Sequence, residues 1–454
     1  MHKATQLAVF LLCVALPGSA VASDYKVLHE FAGAPNDGDL PFGPVAAGKG
    51  GVLYGTTEYG GNGPSCVFEV QGCGTVFSLT PPASAGGTWT EAVLYNFTGG
   101  ADGGIVYAGL AIGDDGVLYG ATMFGGSGSC SDQGVTGCGV VFSLTPPAST
   151  GGAWTETVLH SFTGAADGSY PNGVIVANNG VLYGTAQDGG TRRCLGGSGT
   201  LSIGCGTAFA MTPAATGGSW SFEILHEFSS RGPNAPLASL MSSGGVIYGT
   251  SYFGGTGGFG GFGTVFSLTP PKSKGASWTE SVLYNFKGPF GDGANPSDAV
   301  VMGNDGVLYG TTQGGGSGEC SATGVGGCGA VFSLSPPTFP GGDWSEALLY
   351  SFNTNGRCSN GDTAYAGVAI ANDGVLYGTT DCGGAPNRYG EVYSLTPPGS
   401  AGADWAETTL HSYVNAANGG GPYANVVIGA DGVLYGTTNG GGTNGVGTVF
   451  SLKP

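Results

Sequence analysis

Val52-Leu53-Tyr54-Gly55-Thr56-Thr57 is the first of seven copies of one phrase in this sequence. The string Val-(Leu/Ile)-Tyr-Gly returns with its tyrosine at Tyr54, Tyr119, Tyr183, Tyr248, Tyr309, Tyr377 and Tyr435. Neighbouring copies lie 58 to 68 residues apart. A repeat of this kind marks an array of supersecondary units, each needing a neighbour to bury its faces. The 454 residues therefore read as one repeated unit, although length alone would suggest about three domains.

Working outward from the phrase, each repeat holds four strand-like runs. A short small-sided run such as Ala108–Ile112 leads through Asp114-Asp115-Gly116 into the run Val117–Thr122. Asp-Gly between apolar runs is a hairpin signal, because these residues tolerate positive φ. A variable glycine-rich loop follows, then a run like Val140–Leu144. A Thr-Pro-Pro loop leads to the fourth run, Trp154–Phe162. The runs are apolar almost throughout, which predicts sheets buried on both faces. No stretch after the first 22 residues has a helical period. Four-stranded sheets packed around an axis meet these demands, so an all-β, seven-bladed β-propeller is expected.

The chain ends carry the closure argument. Tyr25-Lys26-Val27-Leu28-His29-Glu30-Phe31 matches the fourth run, for example Thr157-Val158-Leu159-His160-Ser161-Phe162. The chain stops just after a third run, Thr448–Leu452. The last blade thus lacks an outer strand, and the N-terminal strand is expected to complete it. Such an insertion closes the ring and removes an exposed edge.

The first 22 residues read as an export signal. His2 and Lys3 precede an apolar run from Leu7 to Leu16, and Ala20-Val21-Ala22 supplies the small-residue cleavage pattern before Ser23. The run is too short to cross a bilayer, which needs about 20 residues. No later segment reads as transmembrane. Residues 23–454 are expected to form one propeller domain, a monomer in the periplasm or outside the cell. Ten cysteines remain after the leader. Eight form close pairs: Cys66/Cys73, Cys130/Cys138, Cys194/Cys205 and Cys320/Cys328. Cys358 and Cys382 lie on successive loops and form the fifth expected pair. No CxxC occurs, so disulfides are favoured over zinc.

Charged residues are 9% of the chain, and the net charge is −18. Twelve Lys and Arg offer too little positive charge for nucleic acid or an anionic membrane surface. Cations and neutral glycans suit the composition better.

The unit Val-Leu-Tyr-Gly-Thr-Thr, then Gly-Gly, then Gly-Thr-Val-Phe-Ser-Leu-Thr-Pro, then Leu-Tyr-Asn-Phe, resembles the bacterial GloVer tandem repeat. The resemblance covers nearly all of residues 23–454. It implies an exported repeat protein with no settled activity and no catalytic residues to carry over. Many members carry an anchor after the repeats; here the last repeat runs to Pro454, so attachment through such an anchor is not expected. The Gly-Gly after the second run and the Trp opening the fourth look kelch-like at the level of fold.

Residues that occupy equivalent positions in the repeats read as structural, because a catalytic group is needed once. This covers the six Trp. It also covers His29, His160, His226 and His411, which share a slot with Tyr95, Tyr284 and Tyr350. No free-standing His remains for a Ser-His-Asp or Cys-His system, or for a kelch-type copper site. Glu91, Glu156, Glu280, Glu346 and Glu407 recur two residues after Trp and read as strand surface.

Two sets remain as site candidates. Asp37, Asp102, Asp167, Asp292 and Asp362 lie in the loops between blades, where they would ring the channel mouth and suit Ca²⁺. The alternative is that they cap their own turns. Arg192, Arg193, Phe259, Phe262, Arg388 and Tyr389 lie in the loops between second and third runs, as binding residues on a rigid scaffold would. The expected function is an exported interaction module that binds a glycan or a protein through its loop-rich face. The alternatives are a carbohydrate-active enzyme using paired carboxylates and a structural cell-envelope protein.

Overall fold

The computed structural model describes residues 24–454 except 65, 67–70, 85, 133–134, 150, 196–200, 203, 215–217, 231, 257–259, 274, 290, 319–325, 353–363, 384–388, 401 and 415. The expected leader lies outside the described residues. Among those described, seven four-stranded antiparallel sheets form seven blades of a propeller. Blade 2 shows the pattern, from the axis outward: Ala111–Ile112, Leu118–Thr122, Val140–Thr145 and Thr155–Ser161. Among the described residues, the helical structure is two short 3-10 turns, Lys49–Gly51 and Ala416–Asn418.

Blade 7 is built from both chain ends. Its three inner strands are Val427–Ile428, Leu434–Thr438 and Thr448–Lys453, and its outer strand is Asp24–Glu30. The register pairs Tyr25 with Leu452, Val27 with Phe450 and His29 with Val449. The ring closes as expected, and no blade is left with an unpaired third strand.

Burial follows position in the blade. The second strand reads buried at four of five positions in Leu118–Thr122, and the third at five of six in Val140–Thr145. The outer strand does not share this. Thr155–Ser161 alternates between exposed and half-buried positions in its first half. Two-faced burial therefore holds for the middle strands only, because the outer strand has solvent on its rim side.

The core is a set of clusters at the blade interfaces. Each outer strand ends in an aromatic ring set edge-on against a third-strand ring of the next blade. Phe31 meets Phe77 at 5.1 Å, Phe97 meets Phe142 at 5.1 Å, and Tyr413 meets Phe450 at 6.1 Å between ring centroids. Edge-to-face pairs of this kind contribute about 0.5–1.5 kcal/mol beyond their buried area. The Trp slot has the same logic at the far end. Trp154 packs on Tyr54 of the preceding blade, and Trp89 on Tyr435 across the closure. The glycine that ends the repeated phrase makes room for the third-strand ring. A Cβ at Gly310 would lie 2.7 Å from Phe332 Cζ and 3.2 Å from Val300 Cγ1.

Three disulfides pin the loops between second and third strands: Cys66–Cys73, Cys130–Cys138 and Cys194–Cys205. Cys328 and Cys382 are also disulfide-bonded; their expected partners, Cys320 and Cys358, lie outside the described residues. Cys73 belongs to the cluster of Phe97 and Val106, so the bridge ties a loop to the blade interface. Replacing Cys66 and Cys73 by serine is expected to cost roughly 2–3 kcal/mol, read as a lower denaturant midpoint at unchanged slope.

Candidate functional site at the channel mouth

The segments that lead into the innermost strands converge on the propeller axis. One residue of each blade lies there, small in all but one: Gly43, Ala108, Gly173, Ala238, Asp298, Ala366 and Ala424. The carbonyl of each except Gly173 accepts a hydroxyl from a second-strand threonine of the preceding blade; Ala121 stands where the threonine for Gly173 would be. Thr56 Oγ1 donates to Ala108 O at 2.8 Å, and Thr437 Oγ1 donates to Gly43 O at 3.1 Å across the closure. These bonds fix the backbone at the axis, and with it the side chain one residue earlier.

That earlier slot varies, and it lines the mouth. Phe42, Tyr107, Asn172, Leu237, Ser297, Tyr365 and Tyr423 bound a cavity of about 510 Å³ at the axis. Four of them form a continuous aromatic arc. Tyr365 and Tyr423 have centroids 5.1 Å apart, Tyr423 and Phe42 5.1 Å, and Phe42 and Tyr107 5.2 Å. The opposite side is polar or aliphatic. Asn172 donates through Nδ2 to Pro236 O at 2.9 Å, and Ser297 donates through Oγ to Tyr365 O at 2.9 Å.

One carboxyl sits in the wall. Asp298 accepts from the Ala299 and Gly367 amides, each at 2.7 Å. It lines the cavity half-buried, and desolvation raises its carboxyl above the usual range. A second acid lies behind the arc. The Tyr107 hydroxyl donates to Glu58 Oε1 at 2.7 Å, and Glu58 is 3% exposed. Burial pushes the Glu58 carboxyl up, and the nearby Asp39 carboxylate adds to this. Asp39 Oδ1 is itself buried without a hydrogen-bond partner among the described residues. Among those residues, no Lys or Arg lines the cavity.

The acids expected at the mouth sit elsewhere. Asp37, Asp102, Asp167 and Asp292 do not line the cavity; Asp362 lies outside the described residues. Their carboxylates turn into the blade interfaces and hold the loop that connects the blades. Asp37 accepts from the Ala32 amide at 2.8 Å and the Gly38 amide at 2.6 Å, and Asp102 accepts from the Thr98 amide at 2.9 Å. Each also engages the His/Tyr slot of the preceding outer strand. His29 Nε2 lies 3.1 Å from Asp37 Oδ2, Tyr95 OH donates to Asp102 at 3.1 Å, His160 Nε2 lies 3.3 Å from Asp167, and Tyr284 OH donates to Asp292 at 2.8 Å.

The strand glutamates complete these interfaces, which corrects their reading as plain strand surface. Burial, with the facing aspartate second, pushes Glu156 and Glu346 up to about 7. Glu91 is likewise pushed up to about 7 by burial, then by Asp37. An acid whose folded value exceeds its ordinary value of 4.5 contributes stability that is fully present below pH 4.5. That contribution is lost as pH rises through about 7. Thermal melts between pH 4.5 and 7 are therefore expected to show a falling midpoint that Glu156→Gln with Glu346→Gln flattens.

The expected loop residues do not share one site. Arg192 and Arg193 are exposed in blade 3, and Tyr389 is 42% exposed in blade 6. Phe262 is half-buried against the core of blades 4 and 5. Phe259 and Arg388 lie outside the described residues. None of the four described residues lines the cavity. The mouth residues carry a sequence signal: one slot that varies freely, immediately before a slot that is Gly or Ala in six of the seven repeats.

Fold and site together define a seven-bladed β-propeller with an aromatic-lined mouth on its axis. The chain belongs to the Gloeobacter/Verrucomicrobia repeat family, which it matches over residues 18–195, 127–320 and 317–454. Among curated proteins, none matches it in sequence. Solved structures similar to it include a copper-bound fungal alcohol oxidase, at 12% identity over 95% of this chain and 76% of the oxidase, TM-score 0.49. A polysaccharide lyase, an ulvan lyase, shares 10% identity over 93% of this chain and 95% of the lyase, TM-score 0.49. An arabinoxylan arabinofuranohydrolase from Bacillus subtilis shares 16% identity over 92% and 93% of the two chains, TM-score 0.33. None of their chemistry is carried to this chain.

Proposed function

We propose that the protein is an exported interaction module that binds a neutral glycan at the mouth of its channel. The carrying observation is the aromatic arc Tyr365–Tyr423–Phe42–Tyr107 beside a polar wall. Aromatic faces pack against the C–H faces of sugars, and a few placed polar groups select hydroxyl patterns. The carboxyl of Asp298 and the lack of Lys and Arg among the described lining residues disfavour uronic or sulfated chains. The ten cysteines beyond the expected leader, with bridges in the loops, fit an oxidising compartment outside the cytoplasm.

A glycan array probed with the purified protein tests this reading. Binding to neutral oligosaccharides is expected, and Tyr423→Ala is expected to weaken it by about tenfold, near 1.4 kcal/mol for one anchor ring. No retained glycan, or retention indifferent to Tyr423→Ala, would remove the mouth as the site. The reading as a carbohydrate-active enzyme has one supporting observation, the elevated Glu58 carboxyl bonded to mouth-lining Tyr107. Release of shortened products from a polysaccharide panel, abolished in Glu58→Gln, would replace binding by cleavage.

A further inference from the structure

Each blade interface places three slots together: the His/Tyr of one outer strand, the Asp of the connecting loop, and the Glu of the next outer strand. The interfaces differ in how they fill these slots. Between blades 1 and 2 the set is Tyr95, Asp102 and Glu156, and between blades 4 and 5 it is Tyr284, Asp292 and Glu346. Between blades 2 and 3, Phe222 replaces Glu and stacks on His160 at 3.8 Å. Between blades 3 and 4, Gly232 stands in the Asp slot, and His226 meets Glu280 directly at 2.5 Å. Between blades 6 and 7, Tyr25 takes the Glu slot and stacks on His411 at 3.8 Å.

Among the described residues, His29, Asp37 and Glu91 form the one set with a metal-binding atom in every slot. These atoms all lie within 4.8 Å of one another. His29 Nε2 and Asp37 Oδ2 are already 3.1 Å apart. Ligands at about 2.0–2.1 Å from a tetrahedral metal are separated by roughly 3.3 Å, so this pair is close to spacing and Glu91 needs a small side-chain rotation. Asp37 is held by two backbone amides and is 7% exposed, so one ligand is already fixed in place. Glu91 Oε1 is buried with no hydrogen-bond partner among the described residues. Two carboxylates and an imidazole suit zinc, which takes N and O ligands in tetrahedral sites. They fit calcium poorly, because calcium takes six to eight oxygens.

We propose that His29, Asp37 and Glu91 form a three-ligand site for Zn²⁺ that clasps the closing strand to blade 1. The position gives the site its role. His29 belongs to the strand that completes blade 7, and Glu91 lies on the outer strand of blade 1. A metal joining them ties the closing strand to blade 1, beside the ladder at which the two chain ends meet. Zinc would take the Nε2 lone pair of the neutral imidazole, whose single proton then sits on Nδ1, and would leave a fourth position to water.

The test uses the leaderless full-length chain in metal-free buffer, with ZnCl₂ as the probe. Calorimetry is expected to show one high-affinity Zn²⁺ per chain, and the unfolding temperature is expected to rise with added Zn²⁺. His29→Tyr installs the residue that Tyr95 and Tyr284 already place in that slot, so the variant folds. It is expected to lose both the high-affinity isotherm and the zinc-dependent rise, as is Glu91→Gln. His226→Tyr, at an interface without the Asp, is expected to keep them. No high-affinity binding to the wild type, or binding unchanged in His29→Tyr, overturns the proposal.

Discussion

Deleting residues 24–31 is expected to cost the ring most of its stability and to make the protein aggregate. The eight residues supply the whole outer strand of blade 7 and the ring of Phe31, which is fully buried. Phe31 sits edge-on to Phe77 in a cluster with Val45, Leu53 and Val449. Loss of one such phenylalanine costs about 3–5 kcal/mol in a packed core. The whole stability of a domain is commonly about 5–15 kcal/mol. The deletion also removes the ladder to Thr448–Lys453, leaving Val449, Phe450 and Leu452 on an open edge. Exposed apolar edges pair with other chains. Size-exclusion chromatography and thermal melts of the deletion variant check this. The single variant Phe31→Ala separates the contribution of the ring from that of the ladder. A monomeric deletion variant with an unchanged melt would mean that the ring does not depend on its closing strand.

That strand was legible because its residues repeat a pattern found six more times. Leu28, His29 and Phe31 match Leu159, His160 and Phe162 position by position, and the pattern carries the packing requirement with it. Blade number, strand order and closure all follow from such matches. The disposition of the acids was not legible in the same way. Asp37 and Glu91 are 54 residues apart, and each alone looks like a turn former or a strand surface residue. Only the interface between blades brings them together, and a repeat compared with its own copies shows no interface. The mouth had the same difficulty. Phe42, Tyr107, Tyr365 and Tyr423 belong to four blades and meet only at the axis. A search that discards repeat-equivalent residues as structural also discards a slot whose members differ in kind. Function in a ring can be distributed over equivalent positions, with each blade supplying one wall.

The second large effect concerns the ring over Gly310. Phe332 is fully buried, lies edge-on to Phe286 at 5.1 Å, and covers the glycine of the repeated phrase. Phe332→Ala is expected to cost about 3–5 kcal/mol, the lost transfer of the ring plus the cavity it leaves. Gly310→Ala is expected to cost roughly 1–3 kcal/mol for the opposite reason. Its Cβ would come within 3.0 Å of Phe332 Cε1 and 2.7 Å of Cζ, and Val300 prevents movement to the other side. These two losses share one volume, so they should not add. In the Phe332→Ala background the new methyl enters the space that the ring vacated, and Gly310→Ala becomes neutral or mildly stabilising. Denaturant melts of the two single variants and the double should therefore give a coupling of more than about 1 kcal/mol. Strict additivity would mean that the glycine is there for its backbone conformation. The repeated Gly would then be a strand requirement, and the packing of rings over glycines could not explain why the same phrase recurs in every blade.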